Sequence, residues 1–146
     1  MNIESIEHTH LLPCADLFAA VFNKAPWNEQ WDPSTVRMRL TEIYNTPGAY
    51  GVVASDVTGI MGFVLGYVEQ WNQQKHFYLK EMCVHAQQQR SGIGTAMMDT
   101  LERQLMQRGV SKIYLLTARE SGAEAFYRTC GFYVSPKMIM MGKPLE

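Results

Sequence analysis

The residues with the clearest chemical purpose form the run Val84-His-Ala-Gln-Gln-Gln-Arg-Ser-Gly-Ile-Gly-Thr95, set between an apolar stretch and a segment with a four-residue apolar repeat. Gly92 and Gly94 let the backbone come close to a ligand, and a helix starting there presents unpaired N–H groups and the positive end of its dipole. That combination suits a phosphate or diphosphate, with Gln89, Arg90 and Ser91 beside it. The alternative is a helix start whose glycines serve packing alone. A dinucleotide-binding fingerprint is excluded because GxGxxG is missing, and a P-loop because no Lys-Ser/Thr pair follows the glycines.

Two further groups could move protons or hold a substrate. Read with a period of two, Phe77, Leu79, Glu81 and Cys83 share one face of a strand, which sets a single carboxylate in an apolar row. Such a carboxylate has a raised pKa or faces a cleft and is a candidate general base, or else it is fixed in an ion pair or holds a neighbouring loop. Trp27-Asn-Glu29-Gln-Trp31-Asp32 puts two indoles and two carboxylates into six residues, a composition that suits a cationic amine and equally suits a gap filled between helices. Tyr50, Tyr67, Trp71 and Tyr114 could add aromatic lining to the same site or belong to the core. The cysteines Cys14, Cys83 and Cys130 form no CxxC pair, and the four scattered histidines complete no ligand set, so no metal is expected. Cys83 and Cys130 have no His and carboxylate at a telling offset, which favours direct transfer over an acyl-cysteine.

Gln89-Arg90-Ser91-Gly92-Ile93-Gly94 resembles the (Gln/Arg)-x-x-Gly-x-(Gly/Ala) signature of the GNAT family of N-acetyltransferases, and Ala123-x-x-x-Tyr127-x-x-x-Gly131-Phe132 resembles that family's second conserved segment. The likeness is strongest over residues 60–133. It implies an acyl-CoA N-acyltransferase fold and acetyl-CoA as co-substrate. The amides of Gln89, Arg90, Ser91, Gly92, Ile93, Gly94 and Thr95 would hold the pyrophosphate. The backbone of Met82, Cys83 and Val84, on a strand that splays from its neighbour, would pair with the pantetheine arm. It further implies Tyr127 as the acid that serves the leaving thiolate, Glu81 as the base acting directly or through water, and Ala123 and Phe126 beside the cofactor. Glu120 stands where the family often has an asparagine that contacts the cofactor arm, and is counted with these. The loop between the first two helices commonly walls the acceptor site in the family, which makes Trp27, Glu29 and Trp31 the candidate acceptor contacts. The implied activity is acetylation of a primary amine, a small cationic molecule. Another acyl-CoA donor, a peptide amine, or a non-catalytic acyl-CoA sensor are the alternatives.

The elements that must position these residues can be read along the chain. Residues 3–9 give a short strand, a helix follows from Pro13, and residues 23–33 break all periodicity. A second helix starts near Ser34, since Asp32-Pro33 supplies an acidic cap and a proline at the first helical position, and it ends before Pro47-Gly48. Two strands, 50–55 and 60–71, flank the turn Asp56–Gly59, and 76–84 is a third of the same kind. From Gly92 the apolar period lengthens through Ile93, Met97, Leu101 and Leu105 to Gly109, a helix with its C′ glycine, on which Asp99 and Arg103 are expected to pair. A strand over 112–117, a helix over 122–129 and a last strand over 132–141 complete the order β-α-α-β-β-β-α-β-α-β. This predicts one α/β domain over 1–146, a single mixed and mostly antiparallel sheet with helices on both faces.

Composition sets the outer bounds. Apolar residues are 47% of the chain and DEKR residues 18%, as in globular proteins, and one core is expected. A formal net charge of −1 gives no basic field for a nucleic acid backbone, although the first eighty residues are acidic on balance and the remainder basic. No run of eighteen apolar residues suggests a membrane span, and Asn2, Glu4 and Glu7 do not read as a signal peptide, so a cytoplasmic protein is expected. The Met-rich segment Met138, Met140, Met141 is left as either a final strand or a contact of a homodimer.

Overall fold

The computed structural model describes residues 1–89 and 91–146 and divides the chain into two compact units, Met1–Tyr114 and Leu115–Glu146. The first holds five strands, β1 (Asn2–Ser5), β2 (Ala49–Asp56), β3 (Gly59–Trp71), β4 (Gln74–Val84) and β5 (Val110–Tyr114), in that spatial order. All neighbours are antiparallel except β4 and β5, which run parallel and are joined through a helix, as a parallel pair requires. The helices are α1 (Leu11–Phe22), α2 (Pro33–Tyr44) and α3 (Ile93–Gln107).

Local chemistry explains the boundaries. The expected first strand stops at Ser5 because the chain turns at once into a 3₁₀ segment, His8–His10, where the Glu7 N–H donates to Nδ1 of His10 at 2.9 Å. Helix α1 starts two residues ahead of Pro13, which is harmless in a first turn whose N–H groups have no helical partner. Asp32 caps α2 as expected, its carboxylate accepting from the N–H and the hydroxyl of Ser34 at 3.3 and 3.0 Å, with Pro33 at the first helical position. The β2–β3 turn is closed by Asp56, which accepts from the Thr58 N–H at 2.8 Å. Gly109, with φ +82°, ends α3 as a C′ glycine should.

Register assigns the two faces of the sheet. Val53, Phe63, Leu65 and Cys83 pack with Cys14, Leu17, Phe18, Val36 and Leu40 of α1 and α2. The intervening residues Val52, Val64, Phe77 and Leu79 point to the opposite face, where α3 brings Met97, Met98, Leu101 and Leu105. Each such side chain removed from water stabilises the fold by about 1.5–3 kcal/mol. A sheet covered by helices on both faces is therefore the observed architecture.

Two expectations for this unit are corrected. Phe77 and Leu79 do not share a face with Glu81 and Cys83, because Leu65 pairs with Glu81 and Gly66 with Leu79, leaving Lys80 as an extra residue in β4. This β-bulge inverts the alternation between Leu79 and Glu81. Asp99 and Arg103 form no ion pair; both side chains are exposed, where such a pair gains little.

The second unit contains α4 (Gly122–Thr129) with the expected bounds, but among the described residues no strand forms over 132–141. Pro136 has no N–H to offer a ladder, and the Ser135 hydroxyl takes the N–H groups of Lys137 and Met138 at 3.2 and 3.0 Å.

Candidate active site

The sheet has an opening where β4 outruns β5. Pairing between them ends at Tyr78 and Tyr114, while β4 continues to Val84, so on that edge Leu79–Val84 have no strand partner among the described residues. Its other edge stays paired with β3 throughout. Half of the backbone polar groups over these six residues thus have no ladder partner among the described residues, and Met82, Cys83 and Val84, the residues expected to pair with the pantetheine arm, lie on this stretch.

At the end of that edge lies the glycine turn. A 3₁₀ segment, Ala86–Gln88, is capped by His85, whose Nδ1 accepts from the Gln87 N–H at 3.1 Å. The Gln89 amide then reaches back and donates to the carbonyl of Val84 at 3.1 Å, folding the turn against the tip of β4. Gly92 has φ +91° and occupies the N-cap of α3 with no side-chain cap, a left-handed conformation that glycine adopts freely. The first helical bond runs from Ala96 N–H to Gly92 O, so the amides of Ile93, Gly94 and Thr95 precede the helical ladder and, among the described residues, are uncapped by any side chain. Ser91 is tied by its N–H to the Gln88 carbonyl at 3.3 Å. Arg90 lies outside the described residues.

The bulge at Lys80 decides where Glu81 points. It places the carboxylate on the α1/α2 face, where Arg39 Nε of α2 donates to Oε1 at 2.6 Å. The Glu81 side chain is only 14% exposed. Burial pushes its pKa up, and the Arg39 guanidinium offsets part of that shift; Lys80 acts in the same sense as Arg39, and Glu29 in the opposite sense. Both readings made of Glu81 from the sequence, a carboxylate of raised pKa and a member of an ion pair, are met together.

The loop between α1 and α2 is held by Asn23, whose side chain accepts from the Trp31 N–H at 2.5 Å and donates to the Trp31 carbonyl at 2.9 Å. Trp31 Nε1 donates to Glu29 at 2.8 Å, and its ring meets Phe18 edge-on at 5.3 Å. Trp27 meets Phe22 in the same way at 5.1 Å. Both indoles are half-buried against α1, so aromatic packing builds this wall, and Glu29 remains exposed upon it.

Of the second unit's candidates, Ala123, Phe126 and Tyr127 lie on α4, and Glu120 precedes it. Ser121 caps the helix, accepting from the Glu124 N–H at 3.1 Å, while Glu124 accepts from the Glu120 N–H at 3.2 Å. Glu120 has φ +55°, a conformation easier for asparagine than for glutamate, which gives a backbone reason for the residue type that usually stands there. Tyr127 is half-buried between Phe126 and Phe132, each ring 5.4 Å away.

One residue of the site was not legible in the sequence. Arg39 was not singled out; a lone Arg on the inner side of an amphipathic helix was the only available signal. Cys14 and Cys83 are both buried, and burial pushes the Cys14 thiol up to about 12 and the Cys83 thiol higher still, so both are poor nucleophiles. A cavity of about 440 Å³ lined by Ser5, Tyr44, Thr46, Tyr50 and Arg108 takes in Tyr50, one of the aromatic residues considered as lining, but none of the other candidate residues. Among the described residues no group of three or more His, Cys, Asp or Glu is arranged to hold a metal, and no helix is long and apolar enough to cross a membrane.

A mixed sheet with helices on both faces, an open edge on its fourth strand and a glycine turn leading into the next helix define an acyl-CoA N-acyltransferase fold. The sequence profile of the Acetyltransferase (GNAT) family matches residues 14–132, and the chain belongs to that family. Crystal structures of similar fold include an aminoglycoside acetyltransferase from an uncultured soil metagenomic sample in complex with sisomicin, 19% identical with a TM-score of 0.76, covering 99% of this chain and 96% of that one. A ribosomal-protein-alanine N-acetyltransferase from Brucella melitensis biovar Abortus 2308 is 15% identical with a TM-score of 0.77, covering 98% and 99%. A possible acetyltransferase from Clostridium difficile 630 is 12% identical with a TM-score of 0.81, covering 99% and 98%. None of the curated proteins compared matches the chain.

Proposed function

We propose that this protein transfers an acetyl group from acetyl-CoA to the primary amine of a small cationic molecule, by direct attack of the amine. The observation that carries the reading is the continuity of an unpaired edge, Leu79–Val84, with a turn that ends in the uncapped amides of Ile93, Gly94 and Thr95. The edge fits an arm that carries amide groups, and the uncapped helix start fits a diphosphate. When bound, acetyl-CoA supplies the acetyl group already activated as a thioester.

The chain's own groups then have these roles. Glu81, on the bulged strand, takes the proton that the amine must lose as its C–N bond forms and the C–S bond breaks. Tyr127 gives a proton to the leaving sulfur, a role that rests on the match of the Ala123–Phe132 segment to the family. Glu29 and Trp31 wall the acceptor side, and the carboxylates favour a cation there. The two buried thiols, Cys14 and Cys83, are unsuited to carry the acyl group, which supports direct transfer.

The test is calorimetric titration with acetyl-CoA followed by thiol release across a panel of amines. Binding that fails when acetyl-CoA is titrated, or binding with no amine turned over, overturns the assignment, and the second result points to an acyl-CoA sensor. Tyr127→Phe is expected to lower kcat by about 10²-fold with little change in acetyl-CoA affinity. An equal loss of both assigns Tyr127 to packing between Phe126 and Phe132.

A further inference from the structure

Beyond Glu81 the α1/α2 face of the sheet changes character. Counting by register from Leu65, which lies opposite Glu81, this face carries Tyr67, Glu69, Tyr78 and, on β5, Tyr114, with His76 opposite Glu69 and Lys112 opposite His76 further along it. The first four are half-buried, unlike the apolar side chains of the neighbouring core. Tyr78 stacks on Tyr114 at 4.4 Å and meets Tyr67 at 5.8 Å, and the Tyr114 hydroxyl donates to Oε1 of Glu69. Three phenol rings around a carboxylate are more than closing a sheet face requires. Burial first holds the phenols of Tyr78 and Tyr114 above their usual range, followed for Tyr78 by Tyr67 and then Glu69, and for Tyr114 by its hydrogen bond to Glu69 and that carboxylate's charge. The protein already places a cation there, since Lys80 Nζ lies over the Tyr78 ring, 4.5 Å from its centroid. Arg39, a second cation near Tyr78, is committed to Glu81.

We propose that Tyr67, Tyr78, Tyr114 and Glu69 form a second cation subsite beside Glu81, and that the acceptor is an elongated amine with a second positive charge on the order of 10 Å from the amine that is acetylated. The span follows from the sheet: Glu69 lies four residues along β3 from Leu65, about 13 Å at the rise of a strand. Lys80 holds the seat in the free protein and yields it to the incoming ammonium. The proposal rests on the acetyl-transfer reading for the amine that reacts, but the subsite itself binds a cation whether or not transfer follows.

The experiment compares unbranched α,ω-diamines of increasing length with monoamines of matching length, using acetyl-CoA and thiol release. Diamines near the stated span are expected to exceed the matched monoamines in kcat/KM by about tenfold, and Glu69→Gln is expected to erase that ratio. In parallel, calorimetry measures a bis(trimethylammonium)alkane of the same span, which cannot be acetylated. Its affinity is expected to fall about tenfold in Glu69→Gln and to rise in Lys80→Met, where the seat is vacated. If this probe binds in a Glu69-dependent way and no amine turns over, the subsite stands and the enzymatic reading falls. If monoamines and diamines turn over equally and the probe ignores both substitutions, the subsite is wrong and the enzymatic reading stands.

Discussion

Replacing Glu81 by glutamine is expected to lower kcat with a good amine acceptor by about 10²–10⁴-fold, the range for loss of a positioned base, while acetyl-CoA affinity changes by no more than a few-fold. The substitution keeps the shape of a side chain that is 14% exposed, so it removes proton acceptance without opening the core. Arg39 loses its partner but is 36% exposed and can turn to water. The pH profile carries the sharper test. Only the ionised carboxylate accepts a proton, so the rate of the natural protein is expected to rise with pH as Glu81 deprotonates. Burial, acting against Arg39, moves that rise above the ordinary carboxylate range. In Glu81→Gln the acid limb should vanish along with the rate. A variant that keeps both its kcat and its acid limb removes Glu81 from catalysis and leaves it as the partner of Arg39.

How much of this site could be read from the chain depends on whether the cause was local. Asp32-Pro33, Gly109 and the Asp56–Gly59 turn act on their own neighbours, and each element boundary they mark was found where expected. The glycine turn was legible for the same reason: Gly92 has the left-handed backbone that its residue type allows. What period-two reading missed was the bulge at Lys80, because a bulge is a relation between two strands and leaves no mark on the strand that carries the extra residue. A sign lay across the ladder, in Gly66 within the run Phe63–Val68, where a glycine marks a close backbone approach. Tyr67 and Tyr114 were named from the sequence as lining or core, but Tyr78 and the face the three share were missed for a related reason, since they come from three strands and meet only through register. The Met-rich C-terminal run has the composition of a strand, yet Ser135 and Pro136 dispose of the donors a ladder would use.

Gly66→Ala is expected to be the most damaging single-methyl change in the site, even though Gly66 touches no reacting atom. A Cβ at this position would lie 2.0 Å from the Tyr78 carbonyl oxygen, 2.8 Å from the Phe77 ring and 3.0 Å from the Leu79 Cα. Two of these atoms are backbone, so the clash cannot be relieved by turning a side chain, and β4 must move away from β3 where Lys80 is looped out. Overpacking of this kind costs about 1–3 kcal/mol, which a lowered denaturation midpoint would register. The functional loss should be larger than that figure implies. If β4 relaxes into regular pairing, a shift of one residue inverts alternation, and Glu81 turns from the Arg39 face toward the α3 face. The expected result is a folded protein with kcat reduced about 10²-fold or more, with the acid limb of its pH profile displaced or lost. Gly62→Ala serves as the comparison, since its Cβ also meets β4 backbone, the Cys83 carbonyl at 2.9 Å, but away from the bulge. If both alanines lower stability alike and Gly66→Ala retains full activity per folded molecule, the bulge does not aim the carboxylate.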